Sequence, residues 1–179
     1  MAIIEVEVRG LLSKSEFDGV EKFLKKNCES YIRDNKDSTF FLIPEGTLKV
    51  SVHSSQNKAR ITHKIKDLED NIFATSKTEF DIPIEDAEKA IAMFKKIGHV
   101  KTLKIKHESE IFEYKAVSIH LKISEDLGTH FEIKCVVHKK DEIPDAMNRI
   151  DSVCEELNIK YMTEQESNQF FKQVEKDYK

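Results

Sequence analysis

The chain reads as α+β, with about eight or nine strands in mostly antiparallel succession and amphipathic helices at its start, middle and end. Three observations lead there. Apolar and charged residues alternate with period two from Ile3 to Arg9 and in several later runs, the pattern of a strand with one buried face. Between those runs lie segments whose apolar residues keep helical spacing. No linker, repeat or low-complexity tract interrupts the sequence, so residues 1–179 form one domain, long enough to bury a core without staples.

Each element follows from local chemistry. In the first strand Ile4, Val6 and Val8 point one way and Glu5, Glu7 and Arg9 the other. Ser13 or Ser15 caps a helix carrying Phe17, Val20, Phe23 and Leu24. Phe40–Ile43 is a strand ended by Pro44. Leu48–His53 and Ala59–Ile65 alternate cleanly about a polar turn and predict a hairpin. A polar loop, Asp67 to Asn71, leads to a strand near Phe73–Ile82. Pro83 opens a second helix with Ala87, Ala90, Ile91 and Phe94 on one stripe, stopped by Gly98. Short strands follow at Val100–His107, Ile111–Ala116, Val117–Ile123 and His130–Val137. Two helices close the chain, one from Asp141 and Pro144 and the other from Thr163, an N-cap with Glu166 three residues on, bearing Phe170, Phe171 and Val174.

Composition excludes several classes. No run is apolar for long enough to span a membrane, and Glu5 and Glu7 break any secretory leader at once. Cys28, Cys135 and Cys154 are odd in number and make no C-x-x-C pair, which points to reduced thiols in a cytoplasmic protein rather than disulfides or structural zinc. A formal charge of −4 argues against double-stranded nucleic acid as a partner. No Gly-rich phosphate loop, G-x-S-x-G or H-E-x-x-H occurs.

The helices must bury their stripes on the apolar side of the sheet, which leaves the charged side opposite. Sorted by parity, that side holds Arg9, Lys49, Arg60, Lys64, Lys77, Lys104, Lys106, Lys115, Lys122 and Lys134 against Glu5, Glu7, Glu79, Glu113 and Glu132. The ten cations and five anions give a net +5 on a chain of net −4. If the sheet curls toward this side it forms a barrel with a polar interior that focuses positive potential on a polyanion; if it stays open, the face is merely wet. Glu5 and Glu7, about 7 Å apart along the strand, can share a divalent cation, and Arg9 can meet an anion held by it. Alone, E-x-E is a solvated sheet face; the segregation of charge favours function.

Glu5-x-Glu7-x-Arg9 resembles the E-x-E-x-K opening of the CYTH superfamily of triphosphate tunnel enzymes, which includes class IV adenylate cyclases and thiamine triphosphatases. Arg60 to Lys64 is similar to the family's T-x-K-like segment. Lys77-Thr78-Glu79 stands where it has R-x-E, and Lys104-Ile105-Lys106 where it has K-x-R. Leu127-Gly128 with Phe131 to Lys134 looks like L-G-x-F-x-E-I-E. The resemblance covers nearly the whole chain. It implies a closed antiparallel β-barrel, a tunnel of about eight strands with the helices packed outside. It further implies Mg or Mn on Glu5, Glu7, Glu132 and Glu79, with Glu5 and Glu7 catalytic. Arg9, Lys49, Arg60, Lys64, Lys77, Lys104, Lys106, Lys122 and Lys134 would grip the phosphates of a small triphosphate or polyphosphate, which the cation helps to hydrolyse.

The departures are specific. Lys134 stands where the resemblance expects the second acid of E-x-E, Lys122 where it expects an acid on the preceding strand, and Ser51 where it expects an arginine. Two acids exchanged for lysines weaken a two-cation site. The sequence therefore leaves a metal-dependent triphosphatase and a polyphosphate- or nucleotide-binding module without turnover, beside an ordinary structural α+β domain with no anion affinity.

Overall fold

A computed structural model describes residues 3–43, 46–65, 73–99 and 101–177. Pro44, Glu45, the Asp67 to Asn71 stretch, Val100 and the side chain of Phe171 lie outside the described residues. The chain builds β1 (Ile3–Leu11), α1 (Lys14–Asn27), β2 (Ser30–Arg33), β3 (Lys36–Ile43), β4 (Gly46–His53), β5 (Lys58–Ile65) and β6 (Ala74–Pro83). It continues with α2 (Ala87–Lys96), β7 (Thr102–Tyr114), β8 (Val117–Ser124), β9 (Gly128–Val137), α3 (Ile143–Glu156) and α4 (Glu164–Asp177).

The strands make one antiparallel sheet in the order β2-β7-β3-β4-β5-β6-β1-β9-β8, and a further pairing of β7 with β8 closes eight of them into a ring. Closure removes the free edges that an open sheet would expose. The ninth strand, β2, lies outside the sequence expectation, because Ser30–Arg33 is exposed along its whole length and carries no alternation. It continues the line of β3 along the same edge of β7 with the register unchanged (Arg33 opposite Glu110, Lys36 opposite His107). The line breaks only at Asp34–Asn35, where the Asp34 amide still donates to the Ser109 carbonyl.

The apolar parity faces out, under the helices. α1 and α3 bring Phe17, Val20, Leu24, Ile150 and Val153 onto Val6, Val8, Phe112, Ile119, Leu121, Phe131 and Ile133. Each such side chain, fully buried, contributes about 1.5–3 kcal/mol. α2 does the same with Ala87, Ala90 and Ile91 over Leu48, Val50, Ala59 and Ile61. Ser13, not Ser15, caps α1: its hydroxyl accepts from the Glu16 amide, and Glu16 returns a bond to the Ser13 amide. Thr163 and Glu166 repeat that exchange at the start of α4.

One strand breaks the expected parity. The separate strands expected at Val100–His107 and Ile111–Ala116 are one, β7, whose odd positions all face inward: Leu103 and Ile105 pair with the inward Phe40 and Ser38 of β3, and Ser109 pairs with the inward Lys122 of β8. Lys104 and Lys106 consequently project outside. Leu103 and Ile105 are buried nevertheless, because α4 lays Phe170 and Val174 against them, with Phe40 and Leu127. Leu103 and Ile105 thus face a helix from inside the ring, and Phe112 and Tyr114 face one from outside it. Lys115 also leaves the charged face, since Lys115 and Ala116 (φ 48° and 60°) form the two-residue turn between β7 and β8.

Candidate functional site

The ring encloses two cavities, of about 460 and 510 Å³, whose linings share Lys36, Lys49, Lys64 and Lys134. They are two halves of one bore with these lysines at its waist. One half opens among Arg60, His53, Glu79 and Ser118; the other runs past Lys122, His107 and His130 to the apolar wall of Phe40, Leu103, Ile105 and Phe170.

At the waist the charges interlock. Register places Glu7 opposite Lys134, and Arg9 opposite Glu132. Lys64 Nζ lies 2.7 Å from Glu7 Oε2 and 2.5 Å from Glu5 Oε1, the latter off the axis of a well-formed hydrogen bond. Lys77 donates to Glu5 Oε2 at 2.6 Å. Lys134 reaches Glu7 at 3.2 Å and Glu132 at 2.8 Å, and Lys122 reaches the same Glu132 oxygen at 2.7 Å. Arg9 completes the lattice with a hydrogen bond to Glu7. Burial works to raise the pKa values of Glu5, Glu7 and Glu132, but the surrounding ammonium groups outweigh it and hold all three below the usual carboxylate range. The same carboxylates, against burial, raise Lys64 and Lys134.

Two lysines go the other way. Burial, then the neighbouring Lys134, lowers Lys122 to about 8 in spite of Glu132. Burial, then Lys64, Lys134 and Lys122, pushes Lys49 well below the ordinary ammonium value. Among the described residues no carboxylate pairs with Lys49; its ammonium stands 5.5 Å from the centre of the Phe40 ring. Along the wall of β7 and β8, His107 Nδ1, Ser109 Oγ and His120 Nδ1 are buried without a hydrogen-bond partner among the described residues. Burial and then Lys122 lower His107 to about 3, so its ring is neutral at ordinary pH.

The bore therefore gathers Glu5, Glu7, Arg9, Lys49, Arg60, Lys64, Lys77, Lys122, Glu132 and Lys134. Lys104 and Lys106 are corrected. Both are exposed, Lys106 beside Asp37 at 3.8 Å, because the parity of β7 turns them outward. Glu79 lies in the bore but beside Arg60 (3.2 Å) and Lys77 (3.6 Å), toward one mouth. Lys36 joins the waist outside the sequence expectation; the alternation Lys36, Ser38, Phe40 carries the signal, since β3 begins four residues before Phe40. Asp81, which binds Arg60 Nε at 2.6 Å, was also missed.

A family model described as the CYTH domain matches residues 3–167. The chain belongs to the CYTH family. No curated protein matches it in sequence. Solved structures share its fold. A conserved hypothetical protein from Pyrococcus furiosus superposes with a TM-score of 0.70 at 22% identity, covering 90% of this chain and 93% of that one. A putative adenylyl cyclase from Hippeastrum, described as having a dominant triphosphatase activity, gives 0.61 at 14%, covering 89% of each chain. The Mimivirus capping enzyme triphosphatase gives 0.53 at 10%, covering 88% and 90%. Among the described residues no helix is long and apolar enough to cross a membrane.

CYTH proteins generally use divalent cations. The donor set of this bore does not fit one. Oxygens of Glu5, Glu7 and Glu132 that a cation would need are engaged by ammonium or guanidinium groups, and Lys122 and Lys134 flank the one carboxylate of β9. Among the described residues no three His, Cys, Asp or Glu side chains converge as a metal site.

Proposed function

We propose that this CYTH chain binds the phosphate groups of a triphosphate or polyphosphate compound inside its bore. Lys49 carries the reading: a half-buried ammonium with cationic neighbours and, among the described residues, no carboxylate pair is costly to maintain, and an anion would relieve that cost. Lys36 and Lys64 line the same stretch, and His107 and His120 line the two halves of the bore on either side of it. Three unpaired cysteines, Cys28, Cys135 and Cys154, support a cytoplasmic setting.

Titration calorimetry with inorganic tripolyphosphate tests this. Wild type is expected to bind, and Lys49→Met to bind roughly 10- to 100-fold more weakly, the worth of a charge-assisted hydrogen bond. Equal binding by the two proteins would place the anion elsewhere. The hydrolytic reading, cleavage aided by Mg or Mn on Glu5 and Glu7, needs carboxylate oxygens that ammonium groups now engage. Orthophosphate release above a Glu5→Ala/Glu7→Ala control would restore it.

A further inference from the structure

We infer that Lys122 and Lys134 act as built-in countercations, so that the bore holds its phosphate ligand without a divalent metal. This rests on the phosphate-binding reading and adds how the charge is balanced. A carboxylate cluster ordinarily recruits a cation because its like charges repel and its lone pairs lack donors. Here both needs are met by the chain itself. Glu132 Oε2 receives Lys122 at 2.7 Å and Lys134 at 2.8 Å. Glu7 Oε2 receives Lys64 at 2.7 Å and Lys134 at 3.2 Å, while Arg9 takes its other oxygen.

The placement is enforced by the sheet. Lys134 faces Glu7 directly across the β1–β9 pair and stands two residues from Glu132 on the same inward face. Lys122 reaches Glu132 from β8, two residues along from His120, which stands opposite Glu132. Both lysines are almost enclosed, with side chains 9% and 16% exposed. A divalent ion entering here would have to displace at least two ammonium groups and would sit beside them afterwards, an arrangement that Coulomb repulsion opposes. Phosphate oxygens, by contrast, can share these ammonium groups with the carboxylates, since each ammonium has three donors.

Two measurements decide it. Tripolyphosphate is titrated into wild type in metal-stripped buffer and again with magnesium or manganese in excess. Affinity without metal equal to or higher than affinity with it supports the inference. A gain of tenfold or more with metal overturns it. Absence of binding in both buffers removes the phosphate-binding reading instead, so the two failures are distinct. Separately, electron paramagnetic resonance follows Mn²⁺ added to the protein alone. Wild type is expected to take up no manganese below millimolar concentration, and submicromolar to micromolar uptake at the bore, abolished by Glu7→Gln, would overturn the inference. Lys122→Glu/Lys134→Glu, which removes both countercations and adds two carboxylates, is expected to gain manganese binding by 100-fold or more. Should that variant fold only when manganese is present, a metal-dependent rise in its melting temperature gives the same support; a folded variant that takes up no manganese counts against the inference. Lys134→Gln, a milder change, is expected to gain at least severalfold over wild type, and no gain there also contradicts it.

Discussion

Lys49 and Lys122 carry the chemistry that distinguishes this bore, because burial works against their charge while phosphate would favour it. Lysines with a lowered pKa in the free protein are partly neutral near or above that pKa, and an anion arriving beside them raises it again. Ligand binding therefore takes up protons. With Lys122 at about 8, tripolyphosphate affinity is expected to fall as pH rises from 7 to 9. Calorimetry in two buffers of different ionisation enthalpy reads the proton count, and Lys122→Met should diminish it; a pH-independent affinity with no proton uptake would contradict this account. The same reasoning sets a sign for stability. Lys49→Met removes a half-buried charge that has no carboxylate partner among the described residues, so its melting temperature is expected to rise even as binding is lost.

At the scale of elements, the joint between β2 and β3 depends on Asp34. It is buried where the strand breaks, bonded to His53 Nδ1 at 3.0 Å and to Lys36 at 2.9 Å, and so anchors a waist lysine from outside the waist. Burial acts to raise its pKa, but those two partners outweigh it and bring it down to about 2 from 3.8. A lowered carboxylate pKa stabilises the fold above the unfolded value and stops doing so as pH falls through the folded one. About 2 kcal/mol is thus expected to disappear between roughly pH 4 and pH 2, and Asp34→Asn should remove much of that acid dependence in denaturant titrations. A second joint is Gly46, with φ of 138°, where an added Cβ would lie 2.1 Å from the Lys64 carbonyl oxygen. Gly46→Ala is expected to cost about 3 kcal/mol and to weaken tripolyphosphate binding by shifting Lys64, both measurable on one sample. The Asp34 joint was not legible in the sequence; at Gly46 the sequence marks a turn but not the close approach of Lys64, which belongs to a partner strand. The parity of β7 was hidden for a related reason: Leu103 and Ile105 are apolar because α4 reaches into the mouth of the ring, a contact that alternation along one strand cannot express.

For the whole molecule, the alternation of β1, β4, β5, β8 and β9 was enough to place Glu5, Glu7, Lys49, Lys64, Lys122, Glu132 and Lys134 on one face, and ring closure turned that face into an interior. What alternation could not supply was the pairing across the bore. The family resemblance assigned the acids to a metal and the lysines to phosphate, and the folded ring sets the two against each other at 2.5–3.2 Å. The central claim is that Lys49 and its neighbours at the waist are where phosphate is held. A crystal structure of the protein grown with tripolyphosphate tests it most directly. The account predicts phosphate density at the waist, within hydrogen-bonding distance of Lys49 and Lys64; a waist without phosphate and density only on the outer wall, near Lys104 and Lys106, would contradict it.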